Sequence, residues 1–487
     1  MDTRYIALSY VWGNVDQFLL TKSLYPGLQR TKSLDQYQDK ISQVIKDAFE
    51  VAVRIGERYL WVDTLCIIQD SAEEKEIQIA HMASIYNAAT MTVVAVDAMD
   101  ANDGLPGVRA ETRNLGQGVM EADILLCKRR NEAWVYRSRG WTYQEMMLSR
   151  RRLYFGDQQA ILQCQRSRQS ENRCEPTRIP LSDQWQNMIP EESSFNQYGQ
   201  LVESYSDRML KYWSDRLNAF AGVVGALHAA WGWNFVYGLP EEHFDAALLW
   251  FRASKTDHSS KVNEAFERSF PSWCWAYAKS DISFAHALAE ISELEPFGAE
   301  AFEVWEKGRF RPILLPGTEA DNSFKSINPP DINLEHCLRF TSQVVPCEKF
   351  IFSPTANFEY LQTAIEETTV DCAPIISSNG LWCGLLLGIT SDRLQKVSTD
   401  CAPYLIALST YPLSSSPIDR PYWTTGGLKY TFRQCFDPCS YPTGNYTTVN
   451  VMLVEWDNKV ARRLAIGEIH MNEWKSCAAE RQLIHLV

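Results

Sequence analysis

At 487 residues the chain exceeds one ordinary core, so more than one domain is expected. An apolar fraction of 45%, with 16 Trp, 21 Tyr and 21 Phe, excludes a disordered chain. The formal charge of −13 opposes general binding to nucleic acid or to an anionic membrane, both of which call for a cationic surface.

The first residues, "MDTRYIALSYVWG", lack the basic, apolar and small-residue order of a signal peptide. No apolar run is long enough to span a bilayer; "LWCGLLLGI" stops far short. The 13 cysteines are odd in number, scattered and free of any Cys-x-x-Cys pair, which fits reduced thiols in a cytoplasmic or nuclear setting. The eight His are dispersed, and Cys435 and Cys439 have no His or Cys partner at finger spacing, so no metal is expected.

In chain order, "YIALSYVW" is a buried strand. A helix follows in which Ile41, Val44, Ile45, Ala48, Ala52 and Ile55 fall at spacings of three, four and seven, with Gly56 as its stop. "RYLWVDTLCIIQ" is the second strand and its exit. Ser71 and Glu74 match a Ser-x-x-Glu capping box ahead of a helix through "EIQIAHMASIYNAA", and "TMTVVAV" is a third strand. Strand–helix alternation of this length predicts an α/β fold with a mostly parallel sheet. Residues 97–118 read as a long loop rich in Asp, Asn and Gly, and "RRLYFGDQQAILQCQ" as a hairpin. The expected division is an α/β domain over 1–165, a polar linker over 166–200, a helical region over 201–268 and a β-rich region over 269–487. In the last, "YTTVNVMLVEWDNKVARRLAIGEIH" is the best hairpin, turning at Asp457-Asn458.

Three blocks stand out: "ALSYVWG" (7–13), "LWVDTLCIIQDSAEEKEIQIAHMASIYNAA" (60–89) and "RGWTYQEMMLSRR" (139–151). In this order and spacing they closely resemble the fungal heterokaryon-incompatibility (HET) domain. "YSDRMLKYWSDRLNAFAGV", "FPSWCWA" and "NVMLVEWDNKVARRLAIGEIH" resemble the regions that commonly follow it. Two departures stand out: almost nothing precedes "ALSY", and Ile68 stands where the family often has Asn. The resemblance implies non-self recognition leading to regulated cell death. HET domains are similar in turn to Toll/interleukin-1 receptor (TIR) domains, which have a flavodoxin-like sheet. Some TIR domains cleave NAD at the nicotinamide–ribose bond with a glutamate placed like Glu145 after Trp141. On that reading NAD is a substrate and no cofactor is needed.

The residues leave several readings open. Glu145 is a candidate catalytic carboxylate, because ribosyl–nicotinamide cleavage builds positive charge that a carboxylate stabilises. Thr142-Tyr143-Gln144-Glu145 is equally a capping box. Asp63, an acid within an apolar strand, needs a partner, whether in catalysis or in an ion pair. Arg139 lies in the most basic stretch. There Lys128, Arg129, Arg130, Arg137, Arg139, Arg150, Arg151 and Arg152 oppose only Glu132 and Glu145, eight against two, a balance of +6. A nucleotide pyrophosphate or another anion fits such a fork, as does a simple ion pair.

Ser9, Tyr10, Trp12 and Gly13 end the first strand, and Asp63, Cys66 and Gln69 leave the second toward the same edge, where open parallel sheets bind ligands. Trp12 stacks on a ring or packs in the core. Cys66 as a nucleophile would need a base, and only His81 is near in sequence. Trp141 and Gln144 complete the expected ligand-binding set. Three functions remain: an incompatibility effector with NAD cleavage, a non-catalytic interaction module acting through a homo-oligomer or protein partner, and a small-molecule biosynthetic enzyme on the same scaffold.

Overall fold

The computed structural model describes residues 3–113, 133–157, 159–171, 176–178, 189, 193–253, 269–284, 295–313, 315, 334–352, 370–400, 402–411, 439–441, 448–457 and 459–487. They form two compact units: Met1–Ser193 with Arg208–Gly232, and Ser194–Asp207 with Trp233–Val487.

The first unit is α/β. Strand β1 (Ile6–Ser9) is central, β2 (Leu60–Trp61) and β3 (Met91–Ala95) flank it in parallel, and β4 (Arg151–Phe155) extends the sheet in parallel beside β3. The remaining strands, β5 (Ala160–Cys164), β6 (Ser167–Ser170) and β7 (Thr177–Arg178), are antiparallel, giving the order β2-β1-β3-β4-β5-β6-β7. The β4–β5 hairpin is the one read from "RRLYFGDQQAILQCQ". Residues 167–170 and 177–178, read as linker, instead add two polar strands, whose short polar sequences carry no period-2 apolar cue.

Side chains alternate across a strand, and this decides what β1 presents. Ile6 and Leu8 enter one core with Val44, Ile45, Ala48, Val51 and Ala52 of the helix Gln43–Arg54. Ala7 faces the other side with Met82 and Tyr86 of the helix Ala72–Ala88. Ser9, two residues beyond Ala7, therefore points to that second side. The helices Gly140–Leu148 and Asn218–Trp231 pack with Ala72–Ala88 in the first unit.

Three local expectations are corrected. Gly56 ends the first helix at a positive φ of 76°, as read, but Ser71 caps the next helix without a side-chain hydrogen bond, so the Ser71–Glu74 box is not made. The second strand stops at Trp61, and Asp63–Cys66 is a helical turn. Asp63 is thus at a strand exit, not inside an apolar strand, because the Asp63 carboxylate accepts the Thr64 N–H at 2.7 Å and starts the turn. The long loop is fastened at its described part: the buried Asp47 carboxylate accepts from Leu105 N (2.8 Å) and Arg109 Nε (3.1 Å).

The second unit is β-rich, built on an eleven-stranded sheet that is almost wholly antiparallel. Thr448–Asp457 and Val460–His470 form the hairpin expected there, closed by the Asp457–Val460 pair; Asn458 lies outside the described residues. Trp273, Trp275 and Trp474 are fully buried in this unit.

Candidate functional site

The helix Gly140–Leu148 carries the key carboxylate. It begins at Gly140, where a Cβ would lie 2.5 Å from the Leu210 side chain, and seven of its nine residues are buried. Thr142 does not cap it. The Thr142 hydroxyl donates to the carbonyls of Tyr136 (2.7 Å) and Arg139 (2.9 Å), tying the helix to the turn before it. Ser149 Oγ donates to Glu145 O at 2.6 Å and lies 2.6 Å from Thr92 Oγ1, closing the other end. The capping-box reading of Thr142–Glu145 is therefore overturned: both ends are held by other groups, and the Glu145 side chain goes elsewhere.

It goes to β1. Ser9 Oγ donates to Glu145 Oε2, and the Tyr136 hydroxyl sits 2.6 Å from the same Oγ. Ser9 has one proton, so when it serves the carboxylate it receives Tyr136's. Tyr86 donates to Leu8 O (3.1 Å), and its hydroxyl also acts on the Glu145 carboxyl. Glu145 is 8% exposed. Burial pushes its carboxyl up to about 7; the Ser9 hydrogen bond opposes this, nearby Asp63 adds to it, and Arg139 and Tyr86 oppose it further. Burial of Tyr136 beside Glu145 pushes its phenol well above the ordinary range.

Asp63 is the second acid. Its Oδ2 accepts from Trp12 Nε1 at 2.7 Å, and its carbonyl accepts from Gln69 Nε2 at 3.1 Å. Its carboxyl is also raised by burial, against hydrogen bonds from Trp12, Thr64 and Tyr10 and the charge of Arg139. Tyr10 is buried, with its hydroxyl 3.2 Å from Thr64 Oγ1. Arg139 is half-buried, and its guanidinium makes no hydrogen bond or ion pair among the described residues, although both acids feel its charge. The cation that the two acids lack as a direct partner is thus close by and uncommitted.

Of the residues expected to form the site, Ser9, Tyr10, Trp12, Asp63, Gln69, Arg139 and Glu145 are joined in this way. The other four are placed differently. Gly13 adopts φ 70° and a Cβ there would fall on the Asp100 side chain, so a tight backbone approach explains it. The Trp141 side chain acts on Asp215, whose carboxyl it lowers against burial, and no contact with Asp63 or Glu145 joins it to the site among the described residues. Gln144 is buried against Gly222, where a Cβ would lie 2.6 Å from its Oε1, so it faces a neighbouring helix. Cys66 is exposed; its thiol accepts from Val62 N, and burial of the surrounding turn raises it, the reverse of an activated nucleophile. His81 instead contacts the carbonyl of Ile77 on its own helix. Lys128, Arg129, Arg130 and Glu132 lie outside the described residues.

Tyr86 and Tyr136 were missed. Both sit in or beside the three blocks, and a tyrosine amid apolar helix residues is the one signal that a buried hydroxyl partner was needed. Among the described residues, no group of three or more His, Cys, Asp or Glu is arranged to hold a metal ion, and no helix is long and apolar enough to cross a membrane.

A mixed α/β sheet with a half-buried acid, Asp63, at the exit of β2, a buried acid, Glu145, on the helix Gly140–Leu148, and the Arg139 cation acting on both gives the first unit a polar site. Residues 5–145, a span that begins at Tyr5 and ends on Glu145, match the family model for "Heterokaryon incompatibility protein (HET)", so this stretch of the chain is similar to a HET domain. It is 33% identical over 98 residues to "Heterokaryon incompatibility protein 6, OR allele" of Neurospora crassa. That alignment covers 18% of this chain and 14% of the relative, so the chain matches a small part of that protein's length. No solved structure matches the chain.

Proposed function

We propose that this protein acts in non-self incompatibility and that its HET domain delivers the response by cleaving the nicotinamide–ribose bond of NAD, with Glu145 as the working carboxylate. The HET match and the incompatibility relative support the first part. The parallel order β2-β1-β3-β4 supports a TIR-like, flavodoxin-type reading of the domain, from which the antiparallel β5 departs. One observation carries the chemistry: a buried glutamate held by the Ser9 hydroxyl, beside a second acid and an uncommitted arginine.

As the C–N bond breaks, nicotinamide leaves as a neutral base with the bonding pair, so the leaving group needs no acid. Positive charge appears on the ribose, where an ionised Glu145 stabilises it and then accepts the proton of the attacking water. In this reading Arg139 meets the pyrophosphate, and Trp12, packed in part against the core, positions Asp63 through its N–H. A carboxyl pushed up to about 7 is poised to take that proton at neutral pH.

Incubating the purified chain with NAD and following nicotinamide release tests this. Release by wild type, lost in Glu145→Gln and reduced in Asp63→Asn, is the expected result. A folded wild type that releases nothing would turn the reading to a non-catalytic interaction module.

A further inference from the structure

We propose that the β-rich unit contains an anion-binding site between Arg252 and Arg463, sized for one small inorganic anion such as chloride. Arg463 lies on the strand Val460–His470 and is 6% exposed. Its guanidinium donates to the carbonyls of Leu248 (2.8 Å) and Trp250 and lies 3.8 Å from the Trp250 ring centre. Both carbonyls and the indole ring are neutral, so none of them compensates its charge.

Arg252, on the short strand Phe251–Arg252, lines the same cavity of about 20 Å³ with Arg463, Ser272 and Tyr277. Among the described residues, no acidic side chain lines that cavity. The Arg252 guanidinium makes no hydrogen bond or ion pair among the described residues, although the charge of Asp371 reaches it.

Guanidiniums stay charged in proteins, so two of them around one cavity repel, and a buried unpaired charge is costly. The repulsion registers on Arg463, which burial and Arg252 push well below its usual range. Burial and Arg393 lower Arg252, and Tyr277 and Asp371 partly offset this. The missing element is a negative charge, and the cavity has room for roughly one water-sized particle. A halide fits that room, whereas a whole phosphate or an organic acid does not. The site is separate from the carboxylates of the first unit and independent of NAD chemistry.

The test is thermal unfolding of the full chain at constant ionic strength, exchanging sodium gluconate for sodium chloride, with sodium phosphate as a third arm. Ligand that binds only the folded state raises the melting point saturably. A saturable rise of about 3–5 °C with chloride over gluconate is expected in wild type, retained in Arg252→Lys and lost in Arg252→Gln. Equal melting in both salts, an equal chloride response in Arg252→Gln, or stabilisation by phosphate alone would overturn the assignment. Crystals grown in bromide give a check that needs no variant: an anomalous peak between Arg252 and Arg463 supports the site, and none there refutes it.

Discussion

The two units bury charge in opposite ways. In the first unit a buried acid, Glu145, and a half-buried one, Asp63, sit among hydroxyls and an indole N–H, with Arg139 acting on both without pairing with either. In the β-rich unit buried Arg463 spends its hydrogens on carbonyls and faces a second arginine. A carboxyl can shed its charge by taking a proton near neutrality, whereas a guanidinium cannot. The same burial therefore makes a titrating group in one unit and a standing demand for a counter-ion in the other.

Glu145→Gln should separate the two most strongly. Nicotinamide release is expected to fall about 10²–10⁴-fold. Stability should move the other way. The folded-state carboxyl is raised from 4.5 to about 7, so its favourable contribution is complete below pH 4.5 and is lost as pH rises through about 7. Removing the charge should thus stabilise the chain at pH 8, by up to about 3 kcal/mol, and hardly at pH 4.5, as read from denaturant unfolding at the two values.

Arg463→Met supplies the contrast: it leaves the Leu248 and Trp250 carbonyls without their donor, and a loss of about 2–4 kcal/mol is expected in the same unfolding experiment. Were Arg463→Met stabilising instead, the two burials would be alike in kind. Ser9→Ala removes the hydrogen bond that holds the Glu145 carboxyl down, so the rising limb of the pH–rate profile should move above 7. Turnover at pH 7 should drop about tenfold, recovering partly at pH 8.5. Trp12→Phe keeps an aromatic ring but drops the donor to Asp63; a cost of about 1 kcal/mol is expected, with a smaller change in rate.

Much of this architecture was legible. Helical spacing from Val44 to Ala52 and the apolar run at Ile6–Leu8 each locate an element because burial enforces the period. Ser9 and Asp63 lie where the parallel strands β1 and β2 exit, as their positions in those strands suggested, whereas Glu145 and Arg139 come from the helix Gly140–Leu148 and its N-cap. What local pattern could not reveal was competition. Thr142-x-x-Glu145 has the form of a cap, yet Gly140 lets the helix start earlier and the Tyr136 and Arg139 carbonyls take the Thr142 hydroxyl. Trp141 and Gln144 adjoin Glu145 in sequence but are claimed by Asp215 and by the close approach at Gly222. The Arg252–Arg463 cavity joins residues over 200 positions apart and has no motif to announce it.

The most direct test follows the Glu145 carboxyl itself. Carbon-13 NMR of the chain labelled at glutamate side-chain carboxyls, with the resonance assigned by its disappearance in Glu145→Gln, gives its titration midpoint. A midpoint near 7, shifting upward in Ser9→Ala, is the predicted result. Titration near 4.5, unmoved by Ser9→Ala, would contradict a buried carboxylate held by that hydroxyl.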